Sequence, residues 1–167
     1  MVVFTAQEEK PKTHYTIKNA KIYSGIKGRN STAQEKVKYA LNLQALQSGE
    51  DKRTTLMIKN IPNKYSQAML IELIDEQFKG RYDFFYLPID FKNKCNVGYA
   101  FFNLSGLDGV IAFYSKFNGE KWGRFHSEKI CEITYARVQG KMKLVSHFKA
   151  SSIMKQVDNK VKPIVIN

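Results

Sequence analysis

The chain has 167 residues, of which 43% are hydrophobic and 25% are charged, a composition that excludes a disordered chain and fits one globular domain with extensions. Lysine and arginine outnumber aspartate and glutamate by 27 to 15, giving a net charge of +12, which favours a polyanionic partner, nucleic acid first and an anionic membrane surface second. The two cysteines are too few for a disulfide framework or a multi-cysteine zinc site.

The N-terminal part of the chain is predicted to precede the main domain. Residues 1–30 have no clear hydrophobic period and are interpreted as an irregular basic segment. A helix is predicted from residue 31, because Thr32 and Glu35 fit a capping box. An apolar stripe at helical spacing follows, formed by Val37, Ala40, Leu41, Leu43, Ala45 and Leu46. A Ser-Gly pair then ends the helix, so residues 31–52 are predicted to be a helical extension.

Residues 53–138 follow the order β-α-β-β-α-β. Strands are predicted at Thr55–Asn60, Phe84–Ile89, Val97–Leu104 and Ile130–Ala136, and helices from Ser66 to about Lys79 and over Leu107–Phe117. This order defines the ferredoxin-like plan, an α+β fold with a four-stranded antiparallel sheet. Residues 139–154 are predicted to form a C-terminal helix and residues 155–167 a basic tail.

The third predicted strand carries a motif that points to RNA. RNA-recognition motif (RRM) domains contain the pattern K/R-G-F/Y-G/A-F-V-x-F/Y. The segment Val97–Leu104 matches this pattern at five positions, from Gly98 to Phe102. Such domains bind single-stranded RNA by stacking bases on aromatic side chains of the sheet.

Side chains alternate between the two faces of a strand, so the strands also predict which residues meet the RNA. If Ala100 and Phe102 face the helices, Tyr99 and Phe101 face the open side, where rings stack bases and cations contact phosphates. The candidate RNA-binding residues are Met57, Lys59, Tyr86, Lys92, Lys94, Tyr99, Phe101, Arg137 and Lys141. An outward ring supports little of the core, so we expect Phe101→Ala to weaken RNA binding without unfolding the domain.

Three longer stretches, RTTLMIKNIPNKYS, YDFFYLPIDFKNKCNVGYAF and FHSEKICEITYARVQGK, resemble the C-terminal RRM of the Mei-two-like family. These proteins are RNA-binding regulators of meiosis in fission yeast, with developmental relatives in plants. The resemblance covers roughly residues 40–150. It implies an extended RRM that binds RNA, including non-coding RNA, and that acts in a nuclear, meiosis-linked programme.

A protein-interaction module is the alternative interpretation. Either flanking helix could cover the sheet or mediate self-association. In some RRM-like modules an Arg-Phe pair beside the last strand and an acidic first helix bind a tryptophan-bearing peptide. Trp122-Gly123-Arg124-Phe125 and the acidic residues Glu72, Asp75 and Glu76 resemble that arrangement. Packing of its loop onto the domain is the simpler role for Trp122.

The sequence offers no sign of catalysis or of a cofactor. His14, His126 and His147 have no metal-ligand spacing, and no nucleophile can be paired with a base and an orienting group. No apolar run approaches the ~20 residues of a membrane span, and the start of the chain lacks the pattern of a signal peptide. We therefore expect a non-enzymatic, intracellular protein, nuclear or cytoplasmic, that contacts no membrane.

Overall fold

The computed structural model of the protein describes residues 2–3, 31–149 and 158–167. Within them the strands are β1 (Val2–Val3), β2 (Thr55–Lys59), β3 (Tyr82–Tyr86), β4 (Ile89–Asp90), β5 (Cys95–Asn96), β6 (Tyr99–Leu104), β7 (Glu132–Tyr135) and β8 (Ile164–Val165). The helices are α1 (Ala33–Tyr39), α2 (Leu43–Gln47), α3 (Gln67–Phe78), α4 (Leu107–Phe117) and α5 (Lys141–Lys149), with a 3-10 turn at Asn159–Val161. Apart from β1, the irregular segment expected at residues 1–30 lies outside the described residues.

Six of these strands form one sheet in the order β1-β8-β3-β6-β2-β7, and neighbouring strands are antiparallel throughout. The strands β2, β3, β6 and β7 alternate with α3 and α4 in the βαββαβ order. The predicted α+β, ferredoxin-like fold is therefore confirmed. The short strands β4 and β5 pair with each other as a separate hairpin between β3 and β6.

The main core lies between the sheet and the helices α3 and α4. Strand residues that face inward, such as Ile58 and the predicted Phe102, are buried in one cluster with Ile74 and Phe113. The rings of Phe102 and Phe113 have their centroids 4.7 Å apart. Alternate strand positions therefore supply this core, as the period of two requires.

Local capping explains where the helices begin. The Ser66 hydroxyl accepts a hydrogen bond from the Met69 amide at 3.2 Å, and the predicted capping box of Thr32 and Glu35 is present. The single helix predicted from residue 31 is wrong, because it is two helices. Ala40 is extended (φ −72°, ψ 139°), and the Asn42 side chain accepts from the Ala45 amide to start α2.

One buried amide side chain fastens the loop before α3 to the sheet. Asn96 donates to the carbonyl oxygens of Pro62 and Tyr65 at 2.8 and 2.9 Å. Its own carbonyl oxygen accepts from the Gly98 amide at 2.8 Å. One buried side chain thereby makes hydrogen bonds to three backbone groups, as buried polar groups require.

The C-terminal residues differ from the expected basic tail. Residues 158–167 include β8, which pairs with β3 and extends the sheet, and the Ile166 amide donates to the Asp83 carbonyl at 2.9 Å. The Gln67 side-chain amide also donates a hydrogen bond to the Lys162 carbonyl at 2.8 Å. Short apolar strands of this kind bury their side chains and pair their backbone even when lysines flank them. The predictions for residues 150–157 lie outside the described residues.

Candidate nucleic-acid interface

The face of the sheet opposite α3 and α4, called the outer face below, carries the predicted ring residues. Met57, Tyr86, Tyr99 and Phe101 belong to one hydrophobic cluster that is separate from the main core. In the strand register, Phe101 lies opposite both Met57 and Tyr86. The alternation in the sequence therefore assigned these side chains to the correct face.

Helix α5 covers the half of the outer face that β3 and β6 form. The ring centroid of Phe148 lies 4.8 Å from that of Tyr86 and 5.7 Å from that of Phe101. Tyr86 and Phe101 are each only 1% exposed, so the expectation that their rings face an open side is wrong. The physical reason is that Leu144 and Phe148, one turn apart on α5, bury their apolar surface here instead of exposing it to water.

A set of hydrogen bonds at the start of β2 directs α5 onto this face. Gln139 donates to the Thr55 carbonyl at 2.9 Å and accepts from the Thr55 amide at 3.0 Å. The Gly140 amide donates to the Thr55 hydroxyl at 2.7 Å, and Gly140 has φ +89°, a backbone angle that glycine adopts without strain. The helix therefore begins at a turn that is attached to the sheet.

Beside α5, the outer face borders a groove of about 810 Å³. The outer face contributes Met57, Lys59, Tyr99, Phe101 and Thr134 to its lining. Lys59 and Tyr99 lie directly opposite each other in the register of β2 and β6. A cation and an aromatic ring are thus neighbours at the floor of the groove.

Helix α1 forms a wall of this groove. Glu35, Lys36 and Tyr39 line it. The Arg137 side chain, at the end of β7, pairs with Glu35 at 3.2 Å and lies 5.5 Å from the centre of the Tyr39 ring. A hydrogen bond of 2.7 Å from Arg53 to the Lys38 carbonyl holds the last turn of α1.

The predicted cations do not form a single site. Lys59 and Arg137 line the groove, and Lys59 lies 3.6 Å from the Glu132 carboxylate. Lys92 and Lys94 are exposed between β4 and β5. Lys141 donates to the Ile166 carbonyl at 3.0 Å and so connects α5 to the C-terminal segment.

The sequence interpretation missed the groove residues that lie outside the outer face. They include Glu35, Lys36 and Tyr39 of α1 and Lys129 before β7. Strand alternation cannot find them because they belong to a helix and a loop. Lys129 is positioned by the Ile61 carbonyl at 3.4 Å and by the Asn63 side-chain oxygen at 3.3 Å.

Burial raises the pKa of two tyrosines that line the groove. It raises the pKa of Tyr99 to about 12, and burial together with the nearby Asp51 charge raises the pKa of Tyr135 to about 12. Arg53 lies 3.8 Å above the Tyr135 ring. Its hydrogen bonds to Asp51 lower the pKa of that carboxyl.

The loop that contains Trp122 packs onto the domain. The Trp122 ring is buried and tilted against Tyr65 at a centroid distance of 5.5 Å. Phe125 meets the same tyrosine edge-on at 5.1 Å and remains 38% exposed. The simpler role predicted for Trp122 therefore agrees with the structure.

The described part of the chain contains neither a metal-binding cluster nor a membrane-spanning helix. No group of three or more His, Cys, Asp or Glu side chains there is placed to hold a metal ion. None of the helices described is both long enough and apolar enough to cross a membrane.

A four-stranded antiparallel sheet with two helices beneath it and with aromatic and cationic side chains on its outer face defines an RNA-binding domain of the RRM class. The chain belongs to the RNA recognition motif 2 family, whose model matches residues 53–149. The resemblance to the C-terminal RRM of Mei-two-like proteins is thereby confirmed.

Two curated relatives illustrate the similarity. The chain is 55% identical to "Protein MEI2-like 2" of Oryza sativa subsp. japonica over 135 residues, which are 81% of this chain and 16% of the relative. It is 54% identical to "Protein MEI2-like 4" of Arabidopsis thaliana over 138 residues, 83% of this chain and 15% of the relative. The chain therefore spans about a sixth of the length of these relatives.

Among solved structures, the chain is similar to the Rna15 RRM with bound RNA (GU). The TM-score is 0.45 at 14% sequence identity, with 58% of this chain and 97% of that chain covered.

Proposed function

We propose that the chain binds single-stranded RNA on the outer face of its sheet, beginning at the part of that face that lines the groove. The observation that carries the proposal is the pairing of Lys59 and Tyr99 at the floor of the groove. A ring there stacks a base, and the neighbouring cation contacts the phosphate that precedes or follows it. The net charge of +12 supports the same partner.

The proposal extends to the covered half of the face. Phe101 and Tyr86 stack bases only after α5 has moved, because Phe148 now occupies the space over their rings. RNA binding is therefore in competition with the packing of α5. We expect Tyr99 and Lys59 to engage RNA first and the covered rings to contribute when the helix is displaced.

The biological role that we propose is post-transcriptional regulation of meiosis or development, with non-coding RNA among the targets. It rests on the similarity to MEI2-like proteins of rice and Arabidopsis. In this proposal the chain is a binding module and not an enzyme, and it acts in the nucleus, the cytoplasm or both.

A fluorescence-anisotropy titration with a mixed pool of single-stranded RNA, at near-physiological salt, tests the proposal. Wild type is expected to bind with micromolar or tighter affinity, and Tyr99→Ala is expected to bind more weakly while keeping its circular dichroism spectrum. Phe125→Ala is the matched control, because it removes a partly exposed ring from a loop away from the groove lining. Equal binding by wild type and Tyr99→Ala would contradict the sheet site.

A protein-interaction module is the second candidate, and one observation favours it. Helix α5 buries Phe101 and Tyr86, as expected if flanking helices cover the sheet. In this candidate function, the partly exposed Phe125 beside Tyr65 contacts a tryptophan-bearing peptide. Self-association of the chain is the other form that this candidate function takes. Absence of RNA binding, together with peptide binding that Phe125→Ala abolishes, would favour this module.

A further inference from the structure

We infer that helix α1 and the sheet together form a pocket for one nucleotide of the RNA, with its base on the ring of Tyr39 and its phosphates among the groove lysines. The inference rests on the proposed function and adds a site outside the sheet. The lysines are Lys36, Lys59 and Lys129. A groove of about 810 Å³ lies within the range of ~300–1,000 Å³ of pockets that enclose small ligands.

Of the residues of α1, the half-buried Tyr39 is the one that packs against the main core. None of its seven residues is buried, and Val37, the most apolar of them, is 78% exposed. A helix of this length is marginal in water by itself. Besides the Tyr39 contact, polar contacts from Arg137 to Glu35 and from Arg53 to the Lys38 carbonyl hold it. These contacts place the Tyr39 ring on the groove and leave the apolar Val37 in solvent.

The Tyr39 ring already carries a planar cation. The Arg137 guanidinium lies over the ring, 5.5 Å from its centroid, in a cation–π contact on a ring of the kind on which bases stack. A base on this ring would release Arg137, whose planar fork of donors suits a phosphate. The same two residues therefore offer a stacking surface and a phosphate contact.

The charges of the groove favour a nucleotide. Its lining carries the cations Lys36, Lys59, Lys129 and Arg137 against the carboxylates Glu35 and Glu132. Each carboxylate has a basic partner, Arg137 at 3.2 Å and Lys59 at 3.6 Å. The two remaining lysines give the groove a net positive charge, which attracts a phosphate.

Titration of single-stranded RNA against Tyr39 variants tests the pocket. Tyr39→Ala is expected to weaken binding by at least about fivefold, the lower end of the effect of losing one stacked base. Tyr39→Phe, which keeps the ring, is expected to bind as wild type does. Val37→Ala is the control on the same helix, because its side chain points into solvent, and it should leave the affinity unchanged.

Ultraviolet crosslinking tests the same pocket in the wild-type protein. Its result does not depend on whether a substitution changes the fold. Trypsin releases residues 39–52, which begin with Tyr39, and residues 95–116, which contain Tyr99. We expect nucleotide adducts on both peptides. Adducts on 95–116 alone, with Tyr39→Ala binding as wild type does, would overturn the pocket and leave RNA binding by the sheet intact. No RNA binding by the wild type would overturn both.

Discussion

The ring of Phe148 on α5 lies 5.7 Å from the ring of Phe101 on β6, across the outer face of the sheet. Phe101 occupies an aromatic position of the RRM pattern, at which a base would stack. In this protein a side chain from the C-terminal helix fills that place. RNA and α5 therefore compete for one surface.

Removing the ring of Phe148 is expected to strengthen RNA binding. In Phe148→Ala, α5 loses its main contact with the outer face, so a larger fraction of molecules presents Phe101 and Tyr86, and the apparent affinity rises with that fraction. The domain should also lose about 3 kcal/mol of unfolding free energy, as for other buried phenylalanines. Anisotropy titration and urea denaturation measure the two effects.

The control is Met142→Ala, which changes a side chain on the same helix that is 76% exposed. It should alter neither affinity nor stability. Weaker RNA binding by Phe148→Ala would contradict the competition and indicate that α5 is itself part of the RNA-binding surface.

Phe101 is expected to matter for folding as well as for RNA. Because its side chain is 1% exposed, Phe101→Ala should lower the unfolding free energy by about 3–5 kcal/mol, contrary to the expectation from the sequence that an outward ring supports little core. Tyr99 is 8% exposed and lines the groove. Tyr99→Ala should therefore lower the unfolding free energy by less than Phe101→Ala does. Urea denaturation of both variants compares them, and a smaller loss for Phe101→Ala would contradict its burial.

Salt should weaken RNA binding steeply. For single strands, the logarithm of the binding constant falls with the logarithm of the salt concentration by about 0.7 for each phosphate neutralised. Lys59→Gln should therefore reduce the slope by about 0.7. Lys79→Gln, an exposed lysine at the end of α3, should leave it unchanged. A slope near zero for the wild type would instead support the peptide-binding module.

Alkaline pH is expected to destabilise the fold through its buried tyrosines. The pKa of Tyr99 is raised from 10.0 to about 12 by burial, so between these two values the unfolded chain releases the phenolic proton while the folded chain retains it. The unfolded state binds fewer protons there, and stability falls as the pH rises.

Urea midpoints measured from pH 9 to about 11.5 give the size of this effect. This pH range begins below the ordinary tyrosine pKa of about 10 and extends above it. Tyr99→Phe should lose less stability over this range than the wild type does, because phenylalanine has no proton to release. Parallel pH profiles for the two proteins would show that the Tyr99 hydroxyl is as accessible in the folded state as in the unfolded state.

Much of the fold followed from local sequence patterns. The predicted helix Leu107–Phe117 has those bounds in the structure, Ser66 caps α3, and alternation in β2 and β6 assigned Met57 and Phe101 to the outer face. Periodicity, capping and turn residues act between neighbours a few positions apart, so the sequence displays them directly. The RRM pattern and the family resemblance are likewise contained in short stretches of the chain.

Two features followed only from the tertiary structure: α5 covers part of the outer face, and α1 lies beside the groove. The sequence predicts a helix after Gly140, but the packing of Phe148 on Tyr86 and Phe101 joins residues that are distant along the chain. The same holds for the ion pair of Glu35 with Arg137, which makes α1 a wall of the groove. Such long-range contacts depend on which apolar and charged surfaces meet after folding. The local periodicity of the sequence therefore does not predict them.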